Sequence, residues 1–445
     1  MKKKNSKSKG ILGKKARAFL KEDKLYISPS YTREYPLIAV EGKGAYVTDI
    51  EGKRFLDFSS GIGVTITGHC HKDIVKAINL QSKKLIHMSG TDFYYPSQLN
   101  LAKELTKLVP GKYQKRVFFG NSGTEAIECA IKLSRYYTKR KLIIGFFGAF
   151  HGRTMGALSI TASKSVQKKN FFPLVPGITH IPYAHCYRCP AGLKYPSCCL
   201  ACVKWIEDEL FQHTVPPEEV AAIFVEPILG EGGYVVPPPE FLPELKKLCK
   251  KYGILLVADE VQSGFGRTGK FLAIEHFNTI PDIVTLAKGI ASGLPLSATV
   301  ASKKIMSWPP GSHASTFGGN PVACEASLAT IKLLKEGLME NAAKIGAYMK
   351  NKLFELKERH RLIGDVRGIG LMIGVELVKD REKKTRAINE RKKVLNLCFE
   401  KGLVILGCGI NSIRFIPPLI ISRNEADEAL SIFDDVLTIV EKEKN

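Results

Sequence analysis

Residues 115–148 read KRVFFGNSGTEAIECAIKLSRYYTKRKLIIGFFG, a short apolar run, a longer helical segment and a second apolar run. The two runs are rich in aromatic and branched apolar residues, which favour strands. The middle segment repeats apolar residues three and four positions apart, which favours a helix. A strand, a helix and a second strand in this order predict a β–α–β unit whose strands run parallel.

The same alternation continues toward the C-terminus. Further apolar runs lie at VAAIFVEP (220–227), GILLVADE (253–260) and DIVTLAKG (282–289), and PPEFLPELKKLCKKY (238–252) is one of the helical segments between them. We therefore predict an α/β fold whose central sheet is mostly parallel and covered by helices on both faces. Ligands bind such sheets at the carboxyl ends of the strands, so the residues that follow these runs are candidates for a site.

The pattern differs in the N- and C-terminal parts of the chain. GKGAYVTDIEGKRFLDF (42–58) predicts two strands joined by a turn at residues 49–53, and DVRGIGLMIGVELV (365–378) and SIRFIPPLI (412–420) predict strands of a second, smaller sheet. We expect both terminal parts to share a small domain beside a large central one. The expected boundaries are residues 1–24 for a basic, mobile tail, 25–95 and 326–445 for the small α+β domain, and 96–325 for the large domain.

The composition is that of an ordinary globular protein, since 44% of the 445 residues are hydrophobic and 24% are charged. No apolar run approaches the roughly 20 residues that a membrane-spanning helix needs, and the basic N-terminus lacks the apolar core of a signal peptide. We expect a cytoplasmic protein without membrane contact. The 66 Lys and Arg residues outnumber the 43 Asp and Glu residues, but the net charge of +23 is dispersed, so we expect no nucleic-acid partner.

A turn of small residues joins the first strand to its helix. It consists of Gly120, Asn121, Ser122, Gly123 and Thr124. Unpaired amides and the positive end of the helix dipole favour an anion there, and small residues let a phosphate approach the backbone. A Ser or Thr before a helix is also an ordinary N-cap. The turn alone leaves both interpretations open.

Two charged residues follow successive apolar runs. Asp259 is a loop acid or helix cap, or else a carboxylate that holds a pyridinium N–H. Lys288 is a surface lysine, or else an amine nucleophile whose pKa is lowered by desolvation. The other motifs in the sequence favour the second interpretation of Lys288. A phosphate turn, an aromatic residue with basic neighbours (AFHGRT, 149–154), the acid and the lysine occur in this order and supply each contact that pyridoxal phosphate requires.

At this point the chain resembles the class III aminotransferases among the fold type I pyridoxal-phosphate enzymes. The resemblance runs from about Gly44 to the C-terminus, and seven segments carry it: GNSGTEAIE (120–128), AFHGRT (149–154), EPILGEGG (226–233), ADEVQSGFGRTG (258–269), AKGIASGLPL (287–296), STFGGNP (315–321) and IRFIPPL (413–419). It implies a seven-stranded sheet in the large domain, pyridoxal 5′-phosphate (PLP) as the cofactor, and a homodimer with shared active sites.

The resemblance also implies roles for individual residues. Lys288 corresponds to the lysine that binds PLP as a Schiff base and moves the proton, and Asp259 to the partner of the pyridine nitrogen. The other implied cofactor contacts are Phe150, stacked on the ring, His151 beside it, Gln262 near the ring hydroxyl, Ser122, Gly123 and Thr124 at the phosphate, and Thr316 from the neighbouring subunit. No metal ligand belongs to this set.

Three further residues concern the substrate. Arg414 resembles the family arginine that grips the α-carboxylate of 2-oxoglutarate, and Glu231 resembles the glutamate that pairs with that arginine while an ω-amino donor is bound. Arg153 resembles the arginine that binds the distal carboxylate. The resemblance therefore implies transfer from an ω-amino acid, chiefly 4-aminobutyrate, to 2-oxoglutarate. Amino-acid racemases and ornithine or acetylornithine aminotransferases share much of this set and stay as alternatives.

Five of the eleven cysteines fall in an insertion at residues 183–203. They are Cys186, Cys189, Cys198, Cys199 and Cys202. The paired C-x2-C spacing suits thiolate ligands of zinc or of an iron–sulfur cluster, although the spacer of eight residues is short for a zinc ribbon. Two disulfides, or reduced cysteines packed in a loop, are the alternatives. The spacing does not decide among the three.

Overall fold

The computed structural model describes residues 13–443. The expected mobile tail over residues 1–24 therefore lies in part outside the described residues, and its remainder overlaps a helix that begins at Lys14. The α-helices of the described part are α1 (Lys14–Tyr26), α2 (Ser60–Gly63), α3 (Lys72–Ser82), α4 (Pro96–Leu108), α5 (Gly123–Thr138), α6 (Met155–Ile160), α7 (Ala201–Trp205), α8 (Phe211–His213), α9 (Phe241–Tyr252), α10 (Pro321–Leu333), α11 (Met339–Arg359), α12 (Ile388–Glu400) and α13 (Arg423–Lys442).

The strands form three sheets. Their bounds are β1 (Ala39–Lys43), β2 (Tyr46–Asp49), β3 (Arg54–Asp57), β4 (Lys115–Gly120), β5 (Leu142–Phe146), β6 (Ile178–Ile181), β7 (Val220–Val225), β8 (Leu255–Asp259), β9 (Ile283–Leu286), β10 (Ser297–Ser302), β11 (Ile363–Ile369), β12 (Met372–Asp380), β13 (Thr385–Arg386), β14 (Leu403–Val404), β15 (Leu406–Cys408) and β16 (Ser412–Phe415).

The largest sheet has seven strands in the order β4-β10-β9-β8-β7-β5-β6. Strands β5 to β9 pair in parallel, whereas β10 runs antiparallel to both β4 and β9. All six residues of β7 and all five of β8 are buried, as expected for strands covered on both faces. The predicted α/β fold with a seven-stranded, mostly parallel sheet is confirmed.

Helices cover both faces of this sheet because successive side chains of a strand point to opposite sides. Val257 of β8 shares an apolar cluster with Ile127 of α5, whereas its neighbour Leu256 shares a different cluster with Leu245 of α9. The helical segments predicted in the middle of residues 115–148 and at residues 238–252 are these two helices. The parallel pairing of β7, β8 and β9 places their carboxyl ends side by side between these helices.

Two smaller sheets contain the strands of the terminal parts. The predicted turn at residues 49–53 joins β2 and β3, which pair antiparallel, and β14 adds to β3 in parallel. The other sheet has the order β11-β12-β16-β15, with β13 beside β12. The β3–β14 pairing joins residues from the two ends of the chain. A shared small domain with the boundaries given above stays a prediction.

Among the described helices, none combines the length and the apolar character that crossing a membrane would require.

Candidate active site

Three neighbouring strands present charged side chains at the same edge of the large sheet. Asp259 is the last residue of β8, Lys288 lies two residues beyond β9, and Glu226 directly follows β7. The register pairs Asp259 with Thr285 of β9. The sequence predicted Asp259 and Lys288 at this edge, and the structure brings them together. Glu226 is an addition that the sequence analysis did not single out.

Asp259 is buried and held by three neighbours. Its Oδ2 lies 2.7 Å from Nδ1 of His151, and its Oδ1 accepts hydrogen bonds from the backbone amide of Val261 at 3.0 Å and from the hydroxyl of Thr285 at 3.4 Å. His151 is buried as well, and its Nε2 has no hydrogen-bond partner among the described residues. These contacts fix the direction in which the carboxylate points.

Lys288 begins a short 3₁₀ helix with a positive φ of 47°. A lysine rarely adopts this conformation, so the surrounding structure determines it. Burial lowers the pKa of Lys288 below its usual value, although the carboxylates of Asp259 and Glu226 oppose the shift. No hydrogen bond or ion pair joins its amine to another described residue. An amine with a lowered pKa and no fixed partner is suited to act as a nucleophile.

Glu226 lies in the same buried region. It accepts a hydrogen bond from the backbone amide of Phe150 at 3.4 Å. Burial, and then the negative charge of Asp259, raises the pKa of Glu226 well above its usual value. A Cβ atom placed on Gly230 would lie 3.2 Å from Oε1 of Glu226 and 3.3 Å from Oε1 of Gln262, so both side chains face this glycine. Oε1 of Gln262 is buried without a partner.

The predicted phosphate turn lies between β4 and α5. Glu125 accepts hydrogen bonds from the backbone amide of Asn121 and, at 2.9 Å, from that of Ser122. Ser122 thus forms part of a helix cap, and its amide is already occupied. The next two amides, of Gly123 and Thr124, are the first of α5, and such amides have no partner within their helix. They are the donors that remain for an anion.

A second turn packs against this one. Oγ1 of Thr124 lies 2.6 Å from Oγ1 of Thr154. A Cβ atom on Gly152 would lie 2.3 Å from Oγ1 of Thr124, and Gly152 has a φ of 145°. Glycine is required at this position because only it allows both the conformation and the close approach. The contact places the turn that carries Phe150 and Arg153 beside the helix N-terminus.

Two predicted residues lie at the open side of the site. The guanidinium of Arg153 is exposed and lies 5.8 Å from the centre of the Phe150 ring. Thr316 is also exposed, in the turn before α10. Neither side chain is fixed by a hydrogen bond or ion pair to another described residue, so both are available to a ligand.

Arg414 and Glu231 form the ion pair that the resemblance implies. Nη1 of Arg414 lies 3.2 Å from Oε2 of Glu231, and only 6% of Arg414 is exposed. Oε1 of Glu231 lies 2.6 Å from Nζ of Lys164, a contact that the sequence analysis missed. Burial opposes ionisation of Glu231, but Arg414 and Lys164 outweigh it and hold the pKa of this carboxyl below its usual value.

The cysteine insertion follows the carboxyl end of β6, and Tyr183 at its start donates a hydrogen bond of 3.0 Å to the backbone carbonyl of Glu226. Its five cysteines are free thiols in the structure, and four of them line a cavity of about 320 Å³ together with Trp205. Among residues 13–443, no three or more His, Cys, Asp or Glu side chains are grouped so as to hold a metal ion. Arg188 anchors the loop to the small sheet by its contact with Glu376 and its hydrogen bond of 2.7 Å to the carbonyl of Lys384.

Comparison with known proteins identifies the family. Residues 27–437 match the model of the family described as aminotransferase class-III. A leucine/methionine racemase from Thermococcus litoralis is 43% identical over 92% of this chain and 92% of its own length. A probable 4-aminobutyrate aminotransferase from Bacillus subtilis is 37% identical over 92% of this chain and 94% of its own length.

Solved structures have the same fold. An amine transaminase from an uncultivated Pseudomonas species, in its PLP-bound form, superposes with a TM-score of 0.87 at 32% sequence identity. The superposition covers 93% of this chain and 98% of that one.

Proposed function

The chain belongs to the class III aminotransferases, which depend on pyridoxal 5′-phosphate, and we propose that it transfers the amino group of an ω-amino acid to 2-oxoglutarate. The proposed donor is 4-aminobutyrate. The ion pair between Arg414 and Glu231 carries this proposal, because a buried arginine that is masked by a displaceable carboxylate suits an enzyme with two kinds of substrate. An amino donor without an α-carboxylate leaves Arg414 paired with Glu231. The α-carboxylate of a 2-oxo acid displaces Glu231 from Arg414.

The residues present fit PLP. Asp259 offers a buried carboxylate to the pyridine N–H, and Gln262 has an unpartnered buried oxygen for which the ring hydroxyl is a suitable donor. The amides of Gly123 and Thr124 at the N-terminus of α5 are donors for the phosphate. Phe150 would stack on the ring and His151 would support Asp259. Both the amide and the hydroxyl of Ser122 donate to Glu125, so Ser122 would contribute to the phosphate site by turning its hydroxyl away from that carboxylate.

Bound PLP supplies an electron sink that stabilises negative charge at the carbon that carries the amino group. Lys288 would hold the cofactor covalently, and its amine would move the proton at the carbon that carries the amino group. Burial lowers the pKa of this amine, which favours the neutral form that can accept the proton. Asp259 keeps the pyridine nitrogen protonated, and its contacts with His151, Val261 and Thr285 keep the carboxylate in place.

Arg414, Glu231 and Arg153 orient the two substrates. In the proposed donor complex, Arg153 binds the carboxylate of 4-aminobutyrate, which places the amino group toward Lys288. In the acceptor complex, Arg414 binds the α-carboxylate of 2-oxoglutarate by two parallel hydrogen bonds and Arg153 binds the distal carboxylate. The exposed position of Arg153 beside the Phe150 ring is consistent with this role.

We also propose a homodimer located in the cytoplasm. Thr316 would contribute to the phosphate site of the neighbouring subunit, which agrees with its exposure in the single chain. The dimer would then be needed for a complete site.

Racemisation of an amino acid is the second candidate function. The observation that favours it is the 43% identity with the leucine/methionine racemase. A racemase would use the same lysine and cofactor but would return the proton to the opposite face of the same carbon. Ornithine and acetylornithine are further candidate donors, because they also carry an ω-amino group.

A panel of amines tests these proposals together. The purified holoenzyme is incubated with 4-aminobutyrate, ornithine, acetylornithine and L-amino acids, each with and without 2-oxoglutarate, and glutamate and D-amino acids are quantified. The proposed function predicts glutamate from 4-aminobutyrate only when 2-oxoglutarate is present. D-amino acids that form without any 2-oxo acid, while no glutamate appears, would establish racemisation instead.

A further inference from the structure

Glu231 contacts two cations, one through each carboxylate oxygen. Oε1 lies 2.6 Å from Nζ of Lys164, and Oε2 lies 3.2 Å from Nη1 of Arg414. The two cations come from different parts of the fold, since Arg414 lies on β16 and Lys164 follows α6. The side chain of Glu231 is 17% exposed, Arg414 is almost fully buried, and Lys164 is 44% exposed. The carboxylate therefore links an inner cation to an outer one.

This triad carries one unneutralised positive charge, because two cations share a single carboxylate. A further cation at this turn does not compete for Glu231. Arg367, which hydrogen-bonds the carbonyl of Gly233, is already paired with Asp365 and Glu376. In addition, Nε of Arg414 is buried without a hydrogen-bond partner. The triad thus has one more cation than carboxylate, and Arg414 has a buried donor without a partner.

We propose that Lys164 holds Glu231 when a substrate carboxylate takes its place on Arg414. Glu231 would turn about its contact with Lys164 and give up only the Oε2 contact. Two cations would then face two carboxylates, and no buried charge would be left unpaired. Lys164 is a positioning residue in this account, since it acts on the substrate through Glu231. The inference rests on the proposed function and deepens it.

The cost of removing Lys164 follows from the same charge balance. Without the lysine, the incoming carboxylate would bring a second negative charge to a site with one cation. Glu231 would be displaced from Arg414 with no partner for its charge, and a largely buried, unpaired carboxylate is strongly unfavourable. We therefore expect the loss of Lys164 to weaken binding of any carboxylate at Arg414, even one that is too short to reach Lys164.

The test measures binding of two unreactive carboxylates to the PLP-loaded enzyme by calorimetry. The parent enzyme of this test and all its variants carry Arg153→Met, so that Arg414 is the site for the single carboxylate of propionate, whereas glutarate offers two carboxylates. The variants are Lys164→Met, Lys164→Arg, Glu231→Gln and the double variant of Lys164→Met with Glu231→Gln. Lys169→Met is the matched control, because Lys169 is an exposed lysine five residues further along the same segment. The cofactor absorbance of each variant verifies that the site is intact.

Lys164→Met is expected to weaken the binding of propionate and of glutarate by about tenfold each. The dissociation constants of Lys164→Arg and Lys169→Met should stay within about twofold of those of the parent enzyme. In the Glu231→Gln background, Lys164→Met should change propionate binding by less than about threefold, because there is no carboxylate left to hold. An equal loss in both backgrounds, or a loss confined to glutarate, would overturn the proposal and make Lys164 a direct ligand of the substrate.

The result of this binding test does not depend on which amino donor the enzyme uses. Propionate and glutarate are neither amino donors nor acceptors, so their binding reports on the triad whichever reaction the enzyme catalyses. Failure of the proposed function would appear separately, as absence of glutamate formation by the enzyme without these substitutions.

Discussion

Oδ2 of Asp259 lies 2.7 Å from Nδ1 of His151, and both side chains are buried. Together with the amide of Val261, this contact holds the carboxylate at the end of β8 in one orientation. We predict that Asp259→Asn lowers the rate constant for transamination by at least about 100-fold, because the amide cannot stabilise a protonated pyridine nitrogen as a carboxylate does. Steady-state kinetics with saturating PLP measure the effect.

Thr285→Val is the matched control for Asp259→Asn. Thr285 contacts the same carboxylate at 3.4 Å, but its loss leaves the negative charge in place. We expect a rate within about fivefold of the parent enzyme, since only one weak hydrogen bond is removed. If Asp259→Asn retains more than a tenth of the parent rate, the assignment of Asp259 to the pyridine nitrogen is wrong.

Arg414→Lys tests the acceptor site. Lysine keeps the charge but cannot donate two parallel hydrogen bonds to a carboxylate, so the KM for 2-oxoglutarate should rise at least about tenfold. The half-reaction with a simple primary amine as donor should change little, because such a donor carries no carboxylate. Arg423→Lys, an exposed position at the start of α13, is the control. Unchanged use of 2-oxoglutarate would mean that another group binds its α-carboxylate.

Thr316 provides a test of the shared site. We predict that Thr316→Val weakens PLP binding by about fivefold, because one hydrogen bond to the phosphate is lost. Mixing it with Lys288→Ala should restore activity at limiting PLP, since each mixed dimer would contain one site with both Lys288 and Thr316. Subunits are exchanged by mild denaturation and refolding, and the activity is compared with the sum of the two variants. No gain above that sum would contradict a site shared in this way.

The lowered pKa of Glu231 predicts a pH-dependent contribution to stability. Its pKa is lower in the folded protein than in the unfolded chain, where the usual value is 4.5, so its ion pairs stabilise the fold above that pH. The stabilisation is lost as the pH falls through the folded pKa. Glu231→Gln should therefore reduce the free energy of unfolding at neutral pH, and the difference from the parent should shrink as the pH falls below about 4.5.

Urea unfolding of the parent and of Glu231→Gln at several pH values measures this difference. Glu355→Gln is the control, because Glu355 forms an exposed ion pair with Lys352 on α11 and should contribute less than about 0.5 kcal/mol at any pH. A difference for Glu231→Gln that is constant across the range would show that its ion pairs do not stabilise the fold.

The large sheet, and the position of Asp259 and Lys288 at its edge, could be predicted from the sequence because both depend on local patterns. Apolar runs that are covered on both faces identify parallel strands, and the residues that follow them must lie at one edge of the sheet. This logic placed Asp259 and Lys288 together, which the structure confirms. Glu226 also directly follows an apolar run, but no feature of the sequence marked it as part of the site.

Other contacts could not be predicted, because they join distant residues that have no local pattern. Lys164 and Glu231 are 67 positions apart, and Lys164 lies in a segment with two further lysines, Lys168 and Lys169, so nothing in the sequence distinguishes it. Likewise, the turn at residues 120–124 left both a helix cap and a phosphate site open, and only the geometry shows that Glu125 occupies two of its amides. Side-chain pairing across the fold depends on tertiary packing.

The covalent attachment of the cofactor to Lys288 is the central claim, and it can be measured directly. The holoenzyme is reduced with borohydride and digested, and the peptides are analysed by mass spectrometry. We predict loss of the visible absorption, with the added mass of the reduced cofactor on Lys288, and no label at that peptide in Lys288→Ala. A label on a different lysine, or bound cofactor that borohydride does not attach to any residue, would contradict the account.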